Sequence, residues 1–252
     1  DNFRGLKWGR LVANHGGVII VDEASALQIE TIGKLSRIRS EGIAELDKLG
    51  IHAKALARCS LIWLSNPRNE PLSNYNFAIE ALKELIGAPE DIARFDYAVA
   101  VRTNEVASEI INRSVDKIND IYGSAIHRSL ILWCKTRRPE QIVFTQDAID
   151  FIYTAAMELG NEYSSNIPLI QTENIRIKLA KISASIAGRV FSTDEDCNNL
   201  IIKRDHVAKA LNFINELYET TPIAYKAYSN MVKTSSSINF DEVNKIFEQW
   251  IM

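Results

Sequence analysis

Gly16-Gly17-Val18-Ile19-Ile20-Val21-Asp22-Glu23 is the stretch on which the reading of this chain turns. Branched aliphatic residues follow one another without a polar break and end abruptly in two carboxylates. An unalternating run of this kind suits a strand buried on both faces, the usual position inside a parallel sheet covered by helices. In open α/β sheets ligands bind beyond the carboxyl ends of the strands, so Asp22 would face a ligand with Glu23 beside it. Such a pair suits nucleoside triphosphate hydrolysis, with one carboxylate on the magnesium shell, commonly through water, and the other oriented on the attacking water. The same run also describes a strand ending in two solvated acids, and taken alone it favours neither reading.

Outward from this strand the pattern alternates. Upstream, Leu11-Val12-Ala13 leads into the turn Asn14-His15-Gly16-Gly17. Downstream, Ala26, Leu27, Ile29, Ile32, Leu35 and Ile38 recur at close to helical spacing, predicting a helix over 24–39. Short alternating pieces then flank Asp47-Lys48-Leu49-Gly50, a hairpin with Lys48 near its tip. Cys59-Ser60-Leu61-Ile62-Trp63-Leu64-Ser65-Asn66-Pro67 reads as a second buried strand stopped by proline, which places Asn66 at a carboxyl end as Asp22 is. Residues 75–86 look helical, and Ile92 to Val101 supplies Arg94 just before a third apolar strand. Strand and helix in alternation predict an α/β parallel sheet. Beyond 104 the pattern becomes helix after helix, over 105–121, 123–136, 145–160, 172–191 and 203–219, which predicts an all-helical second half. A polar linker from Lys233 to Ile238 precedes an amphipathic piece, Phe240 to Met252. The expected domains are 1–104, 105–219 and 220–252.

Composition narrows the function classes. With 46% hydrophobic and 24% charged residues over 252 positions, the chain has the make-up of a globular protein with a substantial core. Lys and Arg number 29 against 32 acids, a net charge of −3, so no global basic field advertises nucleic acid and any such contact must be local. Cys59, Cys134 and Cys197 are odd in number and lack CxxC spacing, which argues for a reducing, cytoplasmic setting and against a disulfide framework or zinc site. No apolar stretch approaches membrane-spanning length, and no signal peptide is visible. The opening Asp1-Asn2-Phe3, without Met, carries the expectation of a start inside a longer protein.

Three segments in register are more telling than any one. The run Leu11 to Glu23, the run Ala57 to Pro67, and Ala93-Arg94-Phe95-Asp96 resemble the Walker B, sensor 1 and arginine-finger segments of MCM-type helicases of the AAA+ class. The resemblance covers about 8–101 and extends more weakly to about 215. It implies Asp22 as the magnesium-shell carboxylate, Glu23 as the residue that activates water, and Asn66 as sensor 1, whose amide donates toward the γ-phosphate or lytic water. Arg94 would be the arginine finger that reaches a neighbouring subunit's site, which implies an oligomeric ring, a hexamer. The alternative for Arg94 is a structural pair with Asp91 or Asp96. In the family a hairpin lysine contacts the DNA backbone, and Lys48 falls there, with Lys54 and His52 as weaker candidates and a solvated turn as the alternative.

Residues 167–184 resemble the helix that carries the family's sensor 2 arginine, and here the sequence departs. Asn174 occupies the expected register, and Arg176 is the nearest arginine able to supply the charge to nucleotide. Lys178 and Lys181 read as a solvated face, while His15, His127 and His206 read as ordinary turn or helix residues. Trp63 and Trp133, inside apolar runs, read as core.

No G-x-x-x-x-G-K-[ST] occurs in the chain. The resemblance places that loop upstream of the Walker B strand, so this chain alone is expected to bind ATP poorly. The fold class implied is the latter part of an AAA+ α/β core followed by a helical lid with, after 220, the possible start of a winged helix. ATP and Mg2+ are the implied cofactors, with DNA and further copies of the chain as partners. The departures from the family point to an archaeal, phage or mobile-element parent. The rival readings are an AAA+ remodeller of proteins, of chelatase, defence or Lon-like type, and a ring scaffold without catalysis.

Overall fold

The computed structural model describes residues 6–48, 50–101, 123–163, 166–219 and 222–236. The chain forms two compact units, one made of Asp1–Tyr75 with Glu80–Phe95 and the other of Asn76–Ile79 with Asp96–Met252. The first unit ends at Phe95 and the second takes up the chain at Asp96. The helix expected over 105–121 and the winged-helix start expected from Phe240 lie outside the described residues.

The first unit is built on a two-stranded parallel sheet, β1 (Val18–Val21) and β4 (Ser60–Trp63), in the register Val18↔Ser60 to Val21↔Trp63. Between them run a short helix pair, α2 (Ile29–Lys34) and α3 (Ser36–Glu41), and an antiparallel hairpin, β2 (Ile43–Lys48) with β3 (Ile51–Leu56). A one-turn helix, α1 (Arg10–Ala13), precedes β1, while α4 (Ala81–Ile86) and α5 (Pro89–Ala93) complete the unit. Its core includes Ala24, Ile32, Ala57, Ile86 and Ile92, each at most 1% exposed. Gly42 ends α3 at φ +68°, where an added Cβ would lie 2.4 Å from Arg58 Cγ, so the turn from helix into hairpin admits little else.

Several sequence expectations are corrected in this unit. β1 is not buried on both faces: Val18 and Ile20 are 53% and 61% exposed, and Ile62 and Leu64 lie half-exposed with them. Among the described residues the sheet has two strands and alternates in burial along each, so one face carries the packing. The single helix expected over 24–39 is a 3₁₀ turn, Ala24–Ala26, followed by α2 and α3. Arg68 explains the break, because its guanidinium binds the carbonyls of Ser25 and Leu27 and removes them as helix acceptors. Over 75–86, only Ala81–Ile86 is α-helical, after a 3₁₀ turn at Ala78–Glu80.

The third strand expected from Ile92 to Val101 does not form. Pro89 at the first helical position, with Glu90 and Asp91 in the first turn, starts α5 instead. Residues 96–101 belong to the second unit. There Lys181 donates to Asp96 at 2.9 Å, Tyr97 packs edge-on against Phe213, and the Ala98 backbone meets the Tyr218 hydroxyl.

The second unit is a helical bundle with a small sheet, which corrects the all-helical expectation. Its helices are α6 (Gly123–Lys135), α7 (Gln146–Glu162), α8 (Thr172–Arg189), α9 (Arg204–Glu219) and α10 (Tyr225–Ser236). Strands β5 (Ile142–Phe144) and β6 (Leu200–Ile202) pair in parallel, and Leu200 and Ile202 pack with Ala148, Ile152, Ala187 and Val207. Trp133 joins this core from its edge.

Tyr163, Tyr218 and Tyr225 form a second buried cluster, with ring centroids 4.9–5.8 Å apart. The expected linker from Lys233 begins instead as the last turn of α10. Lys233 Nζ donates to the Asn161 and Glu162 carbonyls at 2.6 and 2.7 Å, closing the open end of α7, which holds the segment in register. Lys178, read as solvated, is buried among the inward positions Ile175, Leu179 and Ser183, and its ammonium donates to the Leu169 carbonyl at 2.6 Å. Burial pushes it down to about 8, partly opposed by the charge of Asp96. Lys181 does face solvent, paired with Asp96.

Candidate functional site

The parallel pairing decides where the polar side chains of the first unit gather. Because Val21 lies opposite Trp63, both strands end on the same side, with Asp22 and Glu23 after one and Leu64-Ser65-Asn66 after the other. Backbone bonds stitch the two ends together: Leu64 N–H donates to the Val21 carbonyl at 2.9 Å and Ala24 N–H to the Leu64 carbonyl at 3.0 Å. The Ser25 N–H adds a bond to Ser65 Oγ at 2.8 Å, and that hydroxyl donates to the Asn66 carbonyl at 2.9 Å. Asp22, Glu23 and Asn66 are all exposed at this edge.

Glu23 has a backbone that a glutamate rarely adopts, with φ 49° and ψ 46° in the left-handed region. Such strain persists where surrounding bonds impose it, and here the Ala24 and Ser25 amides are the imposing bonds. Asp22 Oδ1 accepts the Glu23 N–H at 2.9 Å, which fixes the carboxylate and leaves Oδ2 for another donor. No group of three or more metal-binding side chains exists among the described residues. The donor set present, one half-occupied carboxylate beside a second acid and an amide, therefore fits a magnesium ion held through water and substrate phosphates, and does not form an all-protein cage.

Arg94 follows α5 as its C-cap residue, and its Nη1 donates to Asp91 Oδ1 at 3.0 Å. The same oxygen accepts from Arg39 Nη1 at 3.1 Å, and Arg39 Nη2 also reaches the Asp91 carbonyl. Burial pushes the Arg39 guanidinium below its ordinary value, against the pull of Asp91. Of the two pairs the sequence allowed for Arg94, the structure holds the one with Asp91. Arg39 and Arg68 are residues that the sequence did not single out, because their partners Asp91, Ser25, Leu27 and Leu85 lie 17 to 52 positions away and periodicity carries no trace of them.

At the turn of the hairpin Lys48 pairs in register with Ile51 and Asp47 with His52, and Gly50 supplies φ +75°. Lys54 lies opposite Glu45 and donates to it at 2.9 Å, and Glu45 also meets Arg37, so the charge of Lys54 is matched locally. His52 is paired with Asp47 at 2.9 Å. Arg176 is exposed on α8 of the second unit, while Asn174 donates to Gln171. His15 accepts the Arg58 N–H, and His206, pushed down by burial, accepts the Lys203 N–H.

In comparison with known families, residues 3–117 match the MCM P-loop domain, so the chain is similar to MCM proteins over that segment. Among curated proteins, a DNA replication licensing factor MCM3 of Entamoeba histolytica is 30% identical over 95 residues. That match covers 38% of this chain and 15% of the relative, so it concerns a small part of a longer protein. No helix among the described residues is long and apolar enough to cross a membrane.

Proposed function

We propose that this chain carries the hydrolytic edge and the DNA-facing hairpin of an ATP-driven DNA helicase or translocase of MCM type, working in DNA replication as a homo-oligomeric ring, a hexamer. The observation that supports this most directly is the β1–β4 register, which gathers Asp22, Glu23 and Asn66 at one sheet edge. Magnesium bound there would neutralise charge on the phosphates. The Asp22 Oδ2 oxygen would hold it through water, since Oδ1 is already taken by the Glu23 amide. Glu23 accepts the proton of the attacking water, and its constrained backbone fixes where the carboxylate points. Asn66 donates its amide to that water or to the γ-phosphate without adding charge. Arg94 stabilises the phosphoryl charge in a neighbouring subunit, and Arg176 contributes a second cation to nucleotide. Lys48, with Lys54 behind it, meets the DNA backbone irrespective of sequence, and repetition around a ring multiplies the contact.

The 252 residues hold no phosphate-cradling G-x-x-x-x-G-K-[ST] loop, so hydrolysis belongs to the complete protein, and this chain by itself binds ATP weakly. The test is steady-state ATPase of the complete protein with and without single-stranded and forked DNA, beside Glu23→Gln and Lys48→Ala. DNA should stimulate hydrolysis, Glu23→Gln should lower kcat by about 100-fold or more, and Lys48→Ala should lose the stimulation. An assembled ring with no ATPase would replace the motor with a scaffold. Hydrolysis indifferent to DNA would point to an AAA+ protein that acts on other proteins.

A further inference from the structure

Arg94 is held by a carboxylate that is itself held from behind. The Asp91 side chain is 6% exposed and that of Arg39 is 4% exposed, whereas Arg94 retains 28%. Arg39 cannot swing away from Asp91, because its guanidinium lies 4.5 Å from the Phe95 ring centroid and 5.3 Å from that of Trp63. Those two rings meet edge to face at 5.4 Å. Stacking on aromatic faces and two contacts to one residue suit arginine's flat, delocalised cation and would not suit lysine's point charge.

Asp91 Oδ1 thus binds Arg39 on its buried side and Arg94 on its open side. A guanidinium has five N–H donors, so the single bond from Nη1 steers Arg94 and leaves most of its fork to present outward. Trp63 is also the last residue of β4, three before Asn66, so the assembly that steadies Arg94 rests on the strand that presents the sensor amide.

We propose that Asp91 and Arg39 are positioning residues for Arg94: a buried Arg39–Asp91 pair, clamped by Trp63 and Phe95, sets the direction in which Arg94 leaves its subunit. This rests on the reading of Arg94 as a group that stabilises phosphoryl charge in trans. Misplacing such a group by an ångström is enough to cost 10- to 100-fold in rate, whereas removing it costs about 1,000-fold or more.

The test is a double-mutant cycle in the complete assembled protein, with ring assembly followed by light scattering. Asp91→Asn keeps shape and volume but gives up the charge that holds both arginines. It should lower kcat for ATP about tenfold with KM unchanged, and Arg39→Lys should lower it about threefold. In an Arg94→Ala background, where kcat is already low, neither change should lower it further, because nothing is left to position.

The outcomes separate the two claims. Full activity in Arg94→Ala would remove the proposed role of Arg94 itself. A low Arg94→Ala rate together with a parental Asp91→Asn rate would overturn the positioning inference alone. So would losses that multiply in the double variant, which mark a merely structural effect, or an Asp91→Asn variant faster than the parent, which would mean that Asp91 restrains Arg94. If Asp91→Asn fails to assemble, the cycle with Arg39→Lys decides by the same criteria.

Discussion

Each unit buries a long cation, and the two are compensated in opposite ways. In the first unit Arg39 lies over the rings of Phe95 and Trp63 and is bound to the Asp91 carboxylate. In the second, Lys178 is bound to one backbone carbonyl, with the Asp96 charge acting on it more weakly than its own desolvation. The chemistry of the two cations explains the difference. A guanidinium is weakly hydrated and spreads its charge over a plane, so it tolerates burial when carboxylate and π faces surround it. A buried ammonium loses strong hydration from a single point and surrenders its proton more readily. The comparison suggests that a charge is kept in the first unit for what it holds, and in the second as part of a closed bundle.

The largest expected effect is that of Arg39→Met, which leaves Asp91 buried with Arg94 as its remaining cation and should destabilise the first unit by about 3–5 kcal/mol in thermal or denaturant unfolding. A loss below about 1 kcal/mol would show that the clamp is not structural.

Lys178→Met should behave quite differently. In the fold Lys178 titrates at about 8 and in the unfolded chain near 10.5, so between these values the unfolded state binds more protons and stability rises with pH. The buried hydroxyls of Tyr163, Tyr218 and Tyr225 are pushed above the tyrosine range and act in the opposite sense near pH 10. The difference between parent and variant isolates Lys178 and should change by about 2–3 kcal/mol across that window. A parallel pair of stability curves would mean that the ammonium keeps its ordinary pKa.

Gly42→Ala, at a positive φ and against Arg58, should cost about 1–2 kcal/mol and loosen hairpin amides in hydrogen exchange. The smallest effect belongs to Lys54→Ala. Its pair with Glu45 is solvent-exposed, so stability should move by no more than about 0.5 kcal/mol in the same melts.

The candidate site was legible where its chemistry sits at the end of an element that local pattern announces. Asp22 and Glu23 follow an apolar run, Asn66 precedes a proline, and the hairpin turn is marked by alternation on either side of Asp47-Lys48-Leu49-Gly50. Legibility failed where a segment's partners are distant. The Ile92–Val101 stretch has the composition of a strand, but Pro89 starts a helix and Tyr97 finds Phe213. β5 and β6 are three residues each, too short for period-2 alternation to register, and become strands by pairing across 58 positions. The solvated reading of Lys178 treated a helix as if only apolar residues could turn inward.

The sequence by itself determined the elements that local energetics set: the apolar strand runs, the hairpin about Asp47-Lys48-Leu49-Gly50, the long helices of the second half, and the acids and amide at strand ends. Those follow from propensity, periodicity and turn chemistry, which act over a few residues. Tertiary structure alone decided which ends share an edge, and that Asp91, one of the two partners open to Arg94, leans in turn on Arg39, 52 positions away. It also decided that the second unit completes its core with a parallel strand pair. Those outcomes depend on burial and on the pairing of charges and backbone groups out of water, and such pairings are settled only when distant segments meet.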